Sequence, residues 1–579
     1  MKSFTVLSLA GLLAGGLHAG KPLENFLPDS TLGVVSFEDA PALVEALEGG
    51  VLAGMLAEQE SDGWWAKREE PFTLGNGETY TLASGEELSL VNLTELLDGR
   101  VLGAVVSVSN TDEVAPDIVL MAEFNGDVDA LRFLQLLDRG EDSEDVLLIE
   151  EEYAGQTLYL EELNSDDEGW MTEYWALVDG IAIETSTLES LKNTVDAILD
   201  GEASASLASS PDYRRGLDLT GENQVRIFLN FSTGELLLRE YLERDMGAMP
   251  VNPLGVTFDS LWSSLELDML DCAMGGLDLE GEHISTTFAL LYEERRGVLR
   301  LLSYSGEPVE YPHWIPAEAV DSTVSTIAFS ETFAAFEDIM NGMSQNFGAL
   351  LQLQLDNFRQ QSGIDLRESL INNFGDELVT FSVLRPGAGS AAADPMSSEL
   401  GLEDTIIAIP VKDPVAFQSA IKGLAETFLP GMELLQEKEF MDFTIYTPAM
   451  GGAGDDSFGY AFANGYLVLG TGSVELLERT LYRMREASDG LWDERALVEG
   501  LAELPDGAVE STYYDFGKAL ETIIEAFRSE WAQGTFDDFG GIAAPDIPED
   551  FSLPYFMISS TYLMDGAQVT HGLVLPKED

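Results

Sequence analysis

The sequence predicts an α+β fold in which one unit of about three hundred residues occurs twice in tandem. Three observations lead to this prediction: ordered blocks that recur at one offset, a hairpin signal in each half, and helix caps that follow each hairpin. Of the 579 residues, 45 % are hydrophobic and 23 % are charged. This composition is typical of a globular protein with a large core.

The repeat appears when the chain is compared with itself. WALVDGIAIETSTLESLKNTVDAI resembles YAFANGYLVLGTGSVELLERTLYRM, where Gly180 and Gly465 differ by 465 − 180 = 285. VRIFLNFSTGELL resembles ESTYYDFGKALET, where Phe231 and Phe516 also differ by 285. Four further pairs keep this order: Phe37 with Phe329, Asp127 with Asp413, Tyr159 with Tyr446, and Gly281 with Gly566. Small drifts in the offset are what loop insertions between equivalent elements produce.

Each half contains a predicted two-residue hairpin. Asp179-Gly180 and Asn464-Gly465 each lie between alternating apolar runs. A type I′ turn needs positive φ at both central residues, which these residue types tolerate. Two strands are therefore expected on either side of each turn.

Helix caps place the other elements. Thr187 and Ser473 follow the hairpins and precede leucines at helical spacing, and Asp127 and Asp413 precede an earlier helix. Each half thus reads strand, helix, strand, hairpin, helix, strand, which predicts a ferredoxin-like βαββ(hairpin)αβ centre. Long strands after this centre, as in LELDMLDCAMGGLDLEGEHISTTFALLYEE, predict an extended antiparallel sheet.

The predicted organisation has four parts. Residues 1–19 form a signal peptide, 20–304 the first α+β repeat, 305–313 a connector that contains prolines, and 314–579 the second repeat. The first twenty residues combine Lys2, an apolar stretch and small residues around Ala19, where cleavage is expected. No later apolar run is long enough to span a bilayer. A periplasmic or secreted location is predicted.

The charge balance is the unusual property. The chain has 104 Asp and Glu against 29 Lys and Arg, a formal charge of -75. Such a surface repels phosphate backbones, so a nucleic-acid partner is not expected. It is typical of a solvated acidic coat, and the alternative is a surface that collects calcium or a basic partner.

Conventional catalytic and metal motifs are missing from the sequence. Cys272, the only cysteine, has mostly apolar neighbours, which predicts a buried thiol in a strand. The histidines that remain after the predicted cleavage, His283, His313 and His571, do not have the spacing of a zinc site. No catalytic, cofactor-binding or metal-ligating residue is assigned.

Three short segments are candidate sites. Asp376-Glu377 and the run Asp166, Asp167 and Glu168 are acidic, but neither completes a calcium loop, and both are interpreted as turns or solvated loops. The pair Trp64 and Trp65 is the best local candidate for contact with a partner or ligand, either as a platform for a sugar or as an anchor. The alternative for this pair is the cap of a small core.

The second half carries a resemblance. PHWIPAEAVDSTVSTIAF, GIDLRESLINNFGDELVTFSV and IIAIPVKDPVAFQSAIKGL make the chain similar to an uncharacterised family of exported proteins, a domain of unknown function, from planctomycete-type and related bacteria. The resemblance covers chiefly Pro312 to Tyr446. It implies export and an α+β fold, and it implies no site residue.

The function predicted first is that of a non-enzymatic envelope or secreted protein whose two α+β halves present an acidic surface or an inter-domain groove to a protein or glycan partner. The second hypothesis is a carboxylate-dependent hydrolase, for example on glycans, with one degenerate half. The third is a calcium-dependent adhesion or structural protein.

Overall fold

A computed structural model describes residues 21–38, 70–74, 79–89, 92–110, 114–139, 147–165, 169–246, 255–280, 283–385, 403–428, 435–449, 458–486, 489–518 and 554–577. The chain forms two compact units. The first comprises Met1–Tyr241 and Leu270–Glu293, and the second Leu242–Met269 and Glu294–Asp579. The segment 242–269 and the prolines of 305–313 therefore belong to the second unit.

The described residues of the first unit contain ten strands. They are β1 Gly33–Phe37, β2 Leu97–Asn110, β3 Val114–Phe124, β4 Leu147–Tyr153, β5 Gln156–Ser165, β6 Gly169–Val178, β7 Ile181–Thr185, β8 Val225–Asn230, β9 Leu270–Glu280 and β10 His283–Tyr292. The spatial order is β4-β5-β6-β7-β3-β2-β1-β8-β9-β10, and every neighbouring pair is antiparallel. Strand β1 therefore lies inside the sheet, between β2 and β8.

Three helices in the described residues belong to the first unit, and a fourth runs from the first unit into the second. They are α1 Val128–Arg139, α2 Leu188–Asp200, α3 Pro211–Thr220 and α4 Phe231–Met246. Helix α2 packs on β3, β6 and β7, and α3 packs on β9 and β10. Short 3-10 turns occupy Leu23–Phe26, Leu93–Glu95 and Leu207–Ser209.

The described residues of the second unit also contain ten strands. They are β11 Asp321–Ser325, β12 Leu378–Leu384, β13 Glu403–Pro410, β14 Leu435–Phe440, β15 Phe443–Pro448, β16 Phe458–Ala463, β17 Tyr466–Thr471, β18 Glu510–Tyr514, β19 Tyr555–Met564 and β20 Ala567–Pro576. Their order is β14-β15-β16-β17-β13-β12-β11-β18-β19-β20, again antiparallel throughout. Adding ten to each strand number in the order of the first unit gives the order of the second unit. The strands of the two units are therefore arranged in the same order.

The helices of the second unit are α5 Phe258–Leu265, α6 Phe329–Met343, α7 Gln345–Ser362, α8 Pro414–Phe428, α9 Val474–Arg485 and α10 Arg495–Leu501. Short 3-10 turns occupy Leu267–Met269, Gly297–Leu302 and Leu491–Asp493, and a π-turn occupies Arg367–Ile371. Helix α6 packs against α5 and α7. The α+β class with an extensive antiparallel sheet is confirmed.

Helices α8 and α9 lie on opposite faces of the second sheet. Leu467 of β17 clusters with Phe417 of α8, whereas the next residue, Val468, clusters with Leu477 of α9. Adjacent residues of a strand point to opposite faces. The predicted ferredoxin-like centre, which has its helices on one face, is therefore not confirmed.

The predicted turns and helix caps are found at the predicted residues. Asp179 and Gly180 have φ of 50° and 78°, and Asn464 and Gly465 have φ of 48° and 88°. These positive values at both central residues are those of a type I′ turn. At the helix starts, Thr187 accepts a hydrogen bond from the Ser190 N–H at 3.2 Å, and Ser473 accepts one from the Glu475 N–H at 3.0 Å. Asp127 and Asp413 accept backbone N–H groups in the same way.

No helix in the described ranges is long and apolar enough to cross a membrane.

Candidate functional site

The central strands of the first unit have one buried face and one open face. On β1, Val34 and Ser36 are buried, whereas Val35 between them is 39 % exposed. Side chains alternate along a strand, so Gly33, Val35 and Phe37 share one face, on which Phe37 packs against a buried cluster that includes Val101 and Ala122. The open face is therefore apolar on this strand.

The register of neighbouring strands extends this apolar face. Val35 lies opposite Gly103 on β2 and opposite Ile227 on β8. Gly33 lies opposite Leu229, and Gly103 lies opposite Leu120 on β3. Ile227 and Leu229 are 47 % and 45 % exposed. These side chains form a patch that water contacts directly.

The patch is concave, and we call it the β1 groove. It has a cavity volume of about 480 Å³ and is formed by strands β1, β2, β3 and β8. Among the residues that the structure describes, its lining consists of Gly, Ala, Val, Leu, Ile, Phe and Met. The volume falls in the range of about 300–1,000 Å³ that binding sites for small molecules occupy.

Two glycines keep the floor of the β1 groove low. A Cβ atom at Gly103 would lie 3.1 Å from Leu120 Cδ2, and one at Gly33 would lie 3.4 Å from Leu229 Cδ2. Larger residues at these positions would fill the space between the apolar side chains. Because glycine has no side chain, the surface of the sheet is lower at these two positions than it would be with β-branched residues.

The apolar surface continues beyond the groove toward the sheet edge. Ile227 lies opposite Gly275 of β9, which lies opposite Phe288 of β10. Phe288 is 48 % exposed. Contiguous apolar surface of this kind marks an interaction site more often than isolated exposed residues do.

The charged side chain of β8 lies on the buried face. Arg226, between Val225 and Ile227 on β8, is buried and contacts Glu24 at 3.2 Å and Glu38 at 2.9 Å. The Tyr213 hydroxyl donates to Glu24 at 2.7 Å, and burial raises the pKa of Tyr213. Burial, together with the Glu24 charge, also raises the pKa of Glu38. None of the described residues that line the β1 groove is charged.

The same register positions of the second unit are polar. Thr323 of β11 lies opposite Thr380 of β12 and Thr512 of β18, and the Thr323 and Thr512 hydroxyls are 3.4 Å apart. Asp321 and Tyr514, which face one another, hold the places of Gly33 and Leu229. Two sheets with one strand order therefore present opposite surface chemistry.

The described lining of the groove offers dispersion contacts and the release of water from apolar surface, both of which favour binding. The arrangement is suited to holding an apolar group.

The structure describes only some of the residues that the sequence singled out as candidate sites. Trp64, Trp65 and the run Asp166 to Glu168 lie outside the described residues. Cys272 is fully buried in β9, its Sγ is 3.6 Å from the Asp212 carbonyl oxygen, and burial raises the pKa of its thiol to about 12. The prediction of a buried strand thiol is confirmed.

The three histidines are not brought together. His283 begins β10, and His571 is on β20, where burial lowers its pKa. His313 Nδ1 lies 2.8 Å from an Asp493 carboxylate oxygen. Within the described ranges, no group of three or more His, Cys, Asp or Glu could hold a metal ion.

The carboxylates of the pair Asp376-Glu377 have different environments. Asp376 is exposed, whereas Glu377 is half-buried and accepts a hydrogen bond from the Tyr466 hydroxyl at 2.9 Å. Glu377 therefore contributes to a polar cavity of the second unit, described below.

Motif-based reasoning did not identify the groove residues, although a signal was present. When VRIFLNF is aligned with ESTYYDF, Val225, Ile227 and Leu229 stand where the second half has Glu510, Thr512 and Tyr514. Val225, Ile227 and Leu229 alternate along β8 and therefore share one face of the strand. Apolar residues on that face in only one of two similar halves indicate that the face has a separate role. Chemical motifs cannot reveal such a site because it contains no reactive group.

Comparisons with known proteins do not assign a family. No family model matches the chain, and no curated protein matches it. Among solved structures, crystal form III of TP0453 is similar over 51 % of this chain and 90 % of that chain, with 8 % identity and a TM-score of 0.25. Crystal forms IV and I of TP0453 each cover 47 % of this chain, with 9 % identity and TM-scores of 0.25 and 0.22. These likenesses are too low to support a conclusion on function.

Proposed function

We propose that this protein is a non-enzymatic, exported binding protein whose β1 groove holds an amphipathic, basic helix of a partner protein. The observation that carries the proposal is an uncharged, apolar, water-exposed groove in a chain with a formal charge of -75. Exposed apolar surface costs free energy unless a partner covers it.

The width of the groove fits one helix. Four adjacent strands, β3, β2, β1 and β8, form it, and three spacings between strands amount to about 14 Å. A helix with its side chains is about 10–12 Å across. A helix that places residues at i, i+3, i+4 and i+7 on the groove would cover Val35, Ile227 and Leu229 together.

The net negative charge of the chain determines which residues we expect on the solvent face of the bound helix. With 104 acidic and 29 basic residues, the surface around any uncharged patch is acidic on average. Lys and Arg on the solvent face of the bound helix would be attracted, and Asp and Glu would be repelled. The partner helix is therefore apolar on one side and basic on the other.

Export and duplication belong to the same proposal. The layout of residues 1–19 supports a signal peptide, and the planctomycete-type resemblance supports the same location. The common strand order supports an origin of the two units by tandem duplication. On this view the first copy acquired the groove, and the second copy kept a polar face.

A peptide-binding experiment tests the proposal. The probe is a labelled amphipathic helix of about five turns with leucines on one face and lysines on the other. We expect binding by fluorescence anisotropy, and we expect Val35→Thr with Ile227→Thr to weaken it by about tenfold or more. These threonines are conservative because the second unit has threonine at the same register positions.

Two controls separate groove binding from general attraction to an acidic protein. A peptide of the same composition in scrambled order keeps its charge but loses the apolar face, and it should bind much more weakly. Val415→Thr with Val498→Thr makes a similar change at exposed valines outside the groove and should leave binding unchanged. Equal binding of both peptides, or equal affinity of the groove variant, would refute the proposal. Self-association that the groove variant abolishes would instead assign the groove to a second copy.

A further inference from the structure

The second unit contains a separate cavity with different chemistry. It has a volume of about 290 Å³ and lies among the segment before β11, the start of β12, the start of β17 and the end of α9. Its lining includes Trp314, Glu377, Tyr466 and Arg483. We call it the Trp314 cavity.

Aromatic rings form its walls. The ring centroids of Trp314 and Tyr466 are 6.0 Å apart, at an interplanar angle of 68°. Tyr311 adds a third ring, and its hydroxyl is hydrogen-bonded to the Ser511 hydroxyl at 3.0 Å. The rings are thus fixed by packing, and the faces of such rings carry negative potential that attracts cations.

Two carboxylates add negative charge to these walls. The half-buried Glu377 carboxylate is held by the Tyr466 hydroxyl at 2.9 Å, and Glu310 lies at the exposed part of the lining. Burial and the Glu310 charge both raise the pKa of Glu377. Two carboxylates therefore line the same cavity.

The cationic groups of the cavity are directed to other partners. Arg483 donates from Nε to the Trp314 carbonyl oxygen at 3.0 Å and from Nη2 to the Asp489 carbonyl oxygen at 2.8 Å. His313 lies against Asp493 at 2.8 Å. Arg483 therefore holds the Trp314 segment in place through hydrogen bonds to backbone carbonyl oxygens.

We propose that the Trp314 cavity binds a small organic ammonium ion, with the rings of Trp314 and Tyr466 against its alkyl groups and Glu377 as its counter-charge. Aromatic rings combined with a carboxylate are the recognition chemistry of quaternary and primary ammonium groups. A bare metal ion would find only two carboxylates here among the described lining residues. This site is independent of the β1 groove.

Titration of the full chain with choline tests the site, with the heat of binding and tryptophan fluorescence as readouts. The control ligand is 3,3-dimethylbutan-1-ol, which has the shape of choline without its charge. Ethanolamine tests the primary ammonium. At constant ionic strength we expect choline to bind, ethanolamine to bind more weakly, and the alcohol not to bind.

Variants locate the binding. Glu377→Gln keeps the shape and a hydrogen-bonding group, and it should weaken choline binding about tenfold. Glu503→Gln removes one exposed acid outside the cavity and should change nothing. Trp314→Phe should remove most of the fluorescence change, and a thermal melt of each variant verifies the fold. Equal binding of choline and the alcohol, equal affinity of Glu377→Gln, or no response to choline would overturn the proposal.

Discussion

At the scale of single residues, the strongest constraint in the first unit is the buried charge of Arg226. Arg226 forms ion pairs with both Glu24 and Glu38, and it also donates a hydrogen bond to the Tyr213 hydroxyl. A buried charge that loses its partner is costly because the remaining charge is desolvated without compensation. Sequence patterns did not single out Arg226, since the residues it joins are separated by about two hundred positions.

Removal of this guanidinium should destabilise the first unit. We expect Arg226→Met to lower the free energy of unfolding by about 3–5 kcal/mol, because Glu24 stays buried without its cation. Denaturant unfolding followed by circular dichroism measures the change. Glu24→Gln added to the Met variant should recover part of the loss, and a double variant no more stable than the single one would contradict this account.

Cys272 gives a second prediction at this scale. Its thiol is fully buried and its pKa is raised to about 12, so neither exposure nor thiolate supports reaction. We expect no reaction with a thiol reagent in the folded protein at neutral pH and stoichiometric reaction in denaturant. Rapid modification of the native protein would show that β9 opens, contrary to its place inside the sheet.

At the scale of elements, hairpins and caps were predictable because each depends on one or two residues and a local rule. Asn464-Gly465 is an example. The pairing of Phe37 with Phe329 was wrong by four residues: Phe37 lies opposite Val225, and the equivalent position opposite Glu510 is Ser325. Apolar periodicity cannot fix the register when the neighbouring strands come from distant parts of the chain.

Substitution in this turn should show the cost of its backbone conformation. Gly465 has φ of 88°, and Gly465→Ala should lower the free energy of unfolding by about 1–2 kcal/mol, since a Cβ disfavours this region. Gly234→Ala within α4 is the matched control and should be neutral or stabilising, because no neighbour lies within 4 Å of the added carbon. Equal effects of the two substitutions would argue against strain at the turn.

At the scale of the whole molecule, acidity dominates. Burial raises the pKa of several half-buried or more deeply placed carboxylates in the described ranges, among them Glu38, Asp321, Glu377 and Glu510. A carboxyl whose pKa is higher in the folded state binds its proton more tightly there. Its contribution to stability is complete below the ordinary pKa and is lost as pH rises through the folded value.

The melting temperature should therefore rise as the pH is lowered from 7.5 to about 5.5. Asp493 acts in the opposite direction, since the Gly490 N–H and His313 lower its pKa, but its effect belongs to more acidic solutions. Added salt should raise the melting temperature at pH 7.5 and reduce the pH effect, because it screens the repulsion among acids. Calorimetry measures both, and a melting temperature that falls on mild acidification would contradict this reasoning.

Because β1 lies between β2 and β8, strand pairing in the first sheet is complete only after β8 has been synthesised. Most of its ladders join strands close in sequence, but Phe37 pairs with Val225 across 225 − 37 = 188 residues. Contacts of such long sequence separation form late and slowly. During synthesis β1 must wait for β8, with the valines of both its faces exposed, and β11 must wait in the same way for β18. Until these two ladders form, the exposed apolar side chains of the unpaired strands favour aggregation.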